Sequence, residues 1–242
     1  MKIELIPAID LIQGQCVRLT QGDYQKKKVY AEHPDEIARY FEKTGFKRLH
    51  VVDLDGAKSQ HIVNDSILRA ITSTTRLKVD FGGGIKTDAD IEKAFLNGAA
   101  MVTIGSIAVT NQDLFFRWLE KYGPQRIILG ADVRDGKISI HGWKEDSGDD
   151  LLPFLKKFID RGVRNVLCTD ISKDGTLKGP AVKLYQQIMA EFPQLHLIAS
   201  GGVSCKKDID DLAAAKIPAV VFGKSIYEGR LNLKEIISEY EQ

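Results

Sequence analysis

Short apolar runs alternate with longer amphipathic stretches along the whole chain. The runs fall at 3–9, 48–54, 77–81, 101–104, 126–131, 165–169, 195–199 and 219–222, and several are rich in Val and Ile and end at Gly, Asp or Ser. Runs of this length bounded by turn residues are what strands buried on both faces of a parallel sheet look like. Between them lie helical patterns such as PDEIARYFEKTG, TDADIEKAFLNG, DLFFRWLEKYG, DLLPFLKKFIDRG and KKDIDDLAAAK. Acidic residues crowd their starts and several finish at Gly, which are ordinary helix start and stop signals. Eight strands alternating with eight helices in 242 residues match the size of a TIM (β/α)8 barrel. A doubly wound open sheet is the alternative, because pattern alone does not prove closure. No linker, low-complexity segment or composition break divides the chain, so residues 1–242 read as a single domain.

An internal repeat runs through this pattern. IPAIDLIQGQCVRL set beside ILGADVRDGKISIH matches Ile6 with Ile128, Asp10 with Asp132 and Gly14 with Gly136. VDFGGGIKTDADIEKAF set beside IASGGVSCKKDIDDLA places Gly83-Gly84 on Gly201-Gly202 and Asp90-Ile91 on Asp208-Ile209. With the same offset Gly105 falls on Gly223, and GFKRLHVVDLDGA resembles GVRNVLCTDISKDGT with Asp53 opposite Asp170. Several motifs in one order at nearly constant offset point to two half-barrels, about 1–122 and 123–242.

The repeat bears on the one residue that breaks the first apolar run. In LIPAIDLIQG, Asp10 sits among apolar neighbours, where a carboxylate is costly unless it is paired or used. A lone Asp at a strand end is usually a cap or turn residue. Closure of the barrel, however, brings all strand C-termini to one face, with Asp10 and its mate Asp132 across the mouth from each other. Paired carboxylates in different environments supply a general acid and a general base at one pH.

Glycine-rich strand ends form the second constellation. FGGGIKT and SGGVS follow the third and seventh strands, and IGS and FGKS follow the fourth and eighth. Glycine lets backbone N–H groups approach an anion closely, and a following helix N-terminus favours negative charge. Gly83, Gly84, Gly105 and Ser106 on one side, with Gly201, Gly202, Gly223 and Lys224 on the other, suggest a ligand with a phosphate at each end. Its reacting centre then lies between the aspartates. No metal-ligand role is expected of His33, His50, His61, His141 and His196, which show no metal-ligand spacing.

Composition changes this picture little. A hydrophobic fraction of 43% with 28% charged residues is that of a soluble globular protein, and a net charge of +1 gives no overall case for nucleic acid or an anionic membrane. Cys16, Cys168 and Cys205 are scattered, without CxxC spacing, as expected in a reducing compartment. No signal-peptide core or membrane-span-length run is present, so a cytoplasmic protein is expected. A closed barrel with internal two-fold repetition can be complete as a monomer, which is the expected state.

PAIDLIQGQCVRLTQGDY, HVVDLDGAK, FGGGIKT, VTIGSIAV, ADVRDGKISIHGW, CTDISKDGTLKGP, IASGGV and FGKSIYEG together resemble the phosphoribosylformimino-aminoimidazole carboxamide ribotide (ProFAR) isomerase family of histidine biosynthesis. The match runs in order over essentially the whole chain. It implies an Amadori rearrangement of an aminoaldose to an aminoketose without a cofactor, on a small bisphosphate substrate. It also implies Asp10 as general base and Asp132 as the acid that protonates the ribose ring oxygen. By matching position, Thr169 and Asp174 touch the substrate's centre and help orient the acid, Arg18 engages substrate or an active-site loop, and Trp143 stacks on the aminoimidazole carboxamide. Three of these have a plainer alternative: Asp174 as a turn residue before Gly175, Arg18 as a solvated strand residue, Trp143 as core or rim packing. Where the family often has arginine after the first glycine motif, this chain has Lys86, which keeps the charge but not the planar fork.

The remaining motifs suggest architecture. Asp53 and Asp55 sit at the end of the second strand and are expected to organise the mouth, while Lys26, Lys27 and Lys28 read as a solvated loop over the barrel face. The nearer rival is the cyclase subunit of imidazole glycerol phosphate synthase, whose first strand typically reads PCLDV with a lysine at the place of Arg18. A bifunctional isomerase also acting on phosphoribosyl anthranilate is a second. A non-catalytic sugar-phosphate-binding barrel is a third, and it has no need of both aspartates.

Overall fold

The computed structural model describes residues 2–140, 143 and 145–240, with Asp146 described in its backbone only. His141, and with it the HG of the HGW motif, lies outside the described residues. Eight parallel strands close into a ring: β1 (Glu4–Ile12), β2 (Arg48–Asp53), β3 (Lys78–Gly82), β4 (Met101–Ile104), β5 (Ile127–Arg134), β6 (Asn165–Asp170), β7 (His196–Ser200) and β8 (Ala219–Phe222). Each pairs in parallel with the next, and β8 returns to β1 through Glu4↔Ala219 to Pro7↔Phe222. The barrel is therefore closed, which decides against the open sheet.

The helices pack outside the ring for the reason their patterns give. In Pro34–Thr44, Pro34, Ala38 and Phe41 are buried, proline opens the first turn, and Gly45 closes the helix in the left-handed region at φ 116°. Helices Asp88–Leu96, Gln112–Tyr122, Leu151–Asp160 and Lys206–Ala214 lie where their sequence patterns place them.

Two hairpins depart from the simple alternation. Gln15–Thr20 folds back antiparallel on β1, and Asp23–Ala31 pairs with it, so Lys26–Lys28 lie on an exposed strand and not in a loop. Lys137–Ile140 and Glu145–Asp150 form the equivalent hairpin on β5. Both grow from strands that continue past the aspartates, to Ile12 and Arg134, instead of ending at them. Asp23–Ala31 is mostly exposed, and Gln15–Thr20 and Lys137–Ile140 are short mixtures of buried and polar positions, so none of them carries a continuous apolar run.

The barrel interior is lopsided. Ile6, Ala8, Ile128, Leu167, Ile198, Ala219 and Val221 form an apolar cluster. Arg48, His50 and Asp80 are also buried, on the strands β2 and β3.

Candidate active site

One cavity of about 860 Å³ opens at the C-terminal ends of the barrel strands, and every candidate site residue named from the sequence lines it. Asp10 and Asp132 hold matching places on strands at opposite points of the ring: Asp10 pairs with Val52 of β2, and Asp132 with Thr169 of β6. Their surroundings differ. Asp132 accepts hydrogen bonds from Trp143 and Thr169, yet burial outweighs these and pushes its carboxyl above the ordinary range. Asp10 is in an ion pair with Arg18, at 2.7 Å, and the two side chains are each 14% exposed.

Arg18 is delivered by the hairpin strand Gln15–Thr20. Besides Asp10 it donates from Nη2 to the Ala8 carbonyl at 3.2 Å, and its guanidinium lies 5.7 Å from the Tyr227 ring centre. It is a cavity residue and not a solvated one. Burial works against its charge, but Asp10, Tyr227 and Asp174 hold it protonated. The guanidinium crosses Gly223 so closely that a Cβ there would stand 1.2 Å from Nη2, so this route needs glycine.

Asp174 follows β6 in a turn whose N–H donates to the Asp170 carbonyl at 3.1 Å, and its carboxyl lines the cavity. The turn reading and the site reading are thus both true of it. Burial pushes its pKa up to about 6, with Arg18 opposing and the Asp10 and Asp132 charges adding to the rise. Trp143 comes from the second hairpin with its backbone at φ 71°. Its ring covers Gly22 at the tip of the first hairpin, where a Cβ would meet the ring at 2.6 Å. The two hairpins therefore meet over the mouth through this contact.

The glycine pairs take the same shape in both halves. Gly83 and Gly84 have φ of 94° and 83°, and Gly201 and Gly202 have 96° and 90°. Behind each pair an aspartate organises the turn: Asp90 accepts from the Thr87 N–H at 2.9 Å, and Asp208 from the Ser204 N–H at 2.7 Å. The cations at the two sites are exchanged between positions. On the β3–β4 side the Lys86 ammonium reaches the Ser106 hydroxyl. On the β7–β8 side the cation is Lys224, at the position equivalent to Ser106, and it donates to Thr20 Oγ1 at 3.0 Å. Burial pulls the Lys86 pKa down, with Asp90 opposing. Each end of the cavity thus offers one ammonium beside a glycine turn, an arrangement suited to two anions.

Asp53 is fully buried and accepts from the N–H groups of Gly56, Val63 and Asn64, each at 2.8 Å, fixing the segment after β2. The sequence reading passed over His50, Thr103 and Tyr24, which also line the cavity. Histidine spacing bears only on metal binding and gives no sign of His50, whereas the repeat sets it opposite an apolar residue, Leu167. Among the described residues no group of three or more His, Cys, Asp or Glu could hold a metal ion.

The sequence profile of the family described as "Histidine biosynthesis protein" matches residues 4–232. The chain belongs to this family. Among its relatives, the 1-(5-phosphoribosyl)-5-((5-phosphoribosylamino)methylideneamino)imidazole-4-carboxamide isomerase of Phocaeicola vulgatus is 63% identical over 97% of this chain and 98% of its own length. Proteins of the same name from Bacteroides fragilis and Flavobacterium johnsoniae are 59% and 50% identical, each over 97% of this chain and 98% of theirs.

Proposed function

We propose that this chain is a ProFAR isomerase, carrying out the Amadori rearrangement of the aminoaldose bisphosphate to its aminoketose in histidine biosynthesis. The observation that carries the reading is the placing of two aspartates, unlike in environment, between two anion-binding ends of one cavity. The names of the full-length relatives supply the substrate. The two phosphates seat at the Gly83-Gly84, Gly105, Ser106 end and at the Gly201-Gly202, Gly223, Lys224 end, which sets the ribose between Asp10 and Asp132.

Asp132, whose protonated form burial favours, donates to the ribose ring oxygen, and the ring opens to a protonated imine. Asp10, held by Arg18 at 2.7 Å, takes the proton from C2 to give an enolamine. Thr169 and Trp143 orient the acid, with Trp143 also offering a face to the flat carboxamide ring. A second reading rests on Asp174: a carboxyl with a pKa of about 6 in the same cavity is itself a competent donor.

In the same proposal each half-barrel, about 1–122 and 123–242, contributes one aspartate and one anion site. The protein is placed in the cytoplasm as a monomer, in keeping with its three free cysteines. No helix among the described residues is long and apolar enough to cross a membrane. The test is turnover of ProFAR by the purified chain, with the aminoketose identified as product. Binding without conversion would leave a sugar-phosphate-binding barrel and remove the enzyme.

A further inference from the structure

The two hairpins at the mouth share one register and differ in what they bring to the cavity wall. Leu11 lies opposite Cys16 and Ile12 opposite Gln15 on the first, as Val133 lies opposite Ile138 and Arg134 opposite Lys137 on the second. Arg18 therefore corresponds to Ile140. By the offset that sets Gly105 on Gly223, Tyr227 corresponds to Val109. Ile140 and Val109 are apolar residues lining the cavity. One half thus carries a cation and an aromatic ring where the other carries two aliphatic side chains, and that cation is the one that grips Asp10.

Arg18 has few partners for a guanidinium so placed. Nη1 donates to Asp10 Oδ2 at 2.7 Å and Nη2 to the Ala8 carbonyl at 3.2 Å, while Nε is buried without a hydrogen-bond partner among the described residues. An aromatic face close to such a charge offsets part of its lost hydration. Tyr227 supplies that face, with its ring centre 5.7 Å from the guanidinium carbon. Tyr227 is itself firmly held. Its hydroxyl donates to the Ala8 carbonyl at 2.9 Å, the same oxygen that Arg18 uses, and accepts from the Cys16 thiol at 3.4 Å. Its ring lies 4.9 Å from that of Tyr30, on the outer strand of the hairpin, and 6.4 Å from that of Phe41. Glu228, next along the chain, accepts from Lys28 at 2.8 Å and from the Tyr30 hydroxyl. Burial pushes the Tyr227 phenol well above its ordinary value, so it meets the guanidinium as a neutral ring.

Resting on the isomerase reading, we propose that Tyr227 is a positioning residue for the base: it fixes the Arg18 guanidinium on Oδ2 of Asp10, and so presents Oδ1 to the proton on C2. In that step the C2–H bond breaks and the proton goes to Oδ1. The electron pair forms the C1=C2 bond of the enolamine, and the pair of the protonated imine's C=N bond moves onto nitrogen. The step is the same whether Asp132 or Asp174 has opened the ring. Tyr227 touches no reacting atom; its effect on the rate passes through Arg18.

The experiment measures kcat, KM and the isotope effect with ProFAR deuterated at C2 of the phosphoribosylamino sugar. It compares the wild type, Tyr227→Val (the residue of the other half), Tyr227→Phe, Arg18→Ile, and Arg18→Ile combined with Tyr227→Val. Wild-type turnover comes first; its absence would overturn the isomerase reading itself and this role with it. With turnover present, Tyr227→Val should lower kcat about tenfold, the size of one cation–π contact and one hydrogen bond. KM should stay within about twofold and the isotope effect on kcat should rise, because proton abstraction alone is slowed. Tyr227→Phe keeps the ring and should stay within about threefold of the wild type. In the Arg18→Ile background, Tyr227→Val should cost less than about twofold, since the contact is already gone. An equal cost in both backgrounds would make Tyr227 a packing residue and overturn the proposal. Wild-type kcat in Tyr227→Val, or Tyr227→Phe as slow as Tyr227→Val, would overturn it as well.

Discussion

Two carboxyls with raised pKa values face one cavity, and they make different demands on an experiment. Asp132 as acid works only while protonated, so kcat/KM should fall as pH rises through its raised pKa. Asp132→Asn should lack that alkaline limb while Asp174→Asn keeps it, and the reverse result would make Asp174 the donor. Asp174 also sets a stability trend. Its carboxyl titrates at about 6 in the fold against 3.8 ordinarily, so the folded state binds the proton more tightly. That contribution is complete below the ordinary value and is lost as pH rises through about 6. Denaturant titrations should find Asp174→Asn stabilised at neutral pH by up to about 3 kcal/mol, with the pH 4–6 slope flattened. A variant less stable at neutral pH than the parent would contradict it. Asp10 and Asp132 were legible in the sequence because they break apolar runs twice at equivalent positions. Asp174 and Arg18 were visible as motif members, but their burial depends on hairpins that no local pattern announces.

At the level of elements, the two hairpins decide the chemistry of the mouth. The first carries Arg18 over Gly223 to Asp10, and Thr20 beside Lys224. Gly223→Ala places a methyl where the guanidinium lies, and Arg18 must leave Asp10. A fall in kcat of about tenfold or more is expected, with the circular dichroism spectrum unchanged. Unchanged turnover would show that the Arg18 contact has no part in the reaction. The barrel strands and main helices were legible because burial on both faces leaves apolar runs and amphipathic faces leave helical spacing. The hairpin strands were not. Asp23–Ala31 is mostly exposed and rich in lysine, and its pairing is set by the return of Gln15–Thr20 along β1.

For the whole molecule, the repeat predicts a symmetric frame, and the departures from symmetry are at cavity residues of the proposed site and the side chains packed behind them. Glycine turns, helix starts and aspartates are equivalent in the two halves; Lys86 and Lys224 are exchanged, and His50, Asp80 and Thr103 stand where the second half has Leu167, Ile198 and Val221. Giving the first half the second half's apolar residues, with His50→Leu, Asp80→Ile and Thr103→Val together and Arg48 kept in its 2.8 Å pair with Glu4, should leave stability equal or higher, by up to about 3 kcal/mol. Turnover should be lost. A thermal melt showing collapse would mean that these polar side chains are there to hold the barrel. The measurement that bears most directly on the central claim is a parallel one on Asp10→Asn and Asp132→Asn: ProFAR binding by calorimetry and turnover on the same preparations. The account predicts binding near the wild-type level with kcat reduced by about 100-fold or more in both. Turnover surviving in either variant would contradict the assignment of that aspartate to the chemistry.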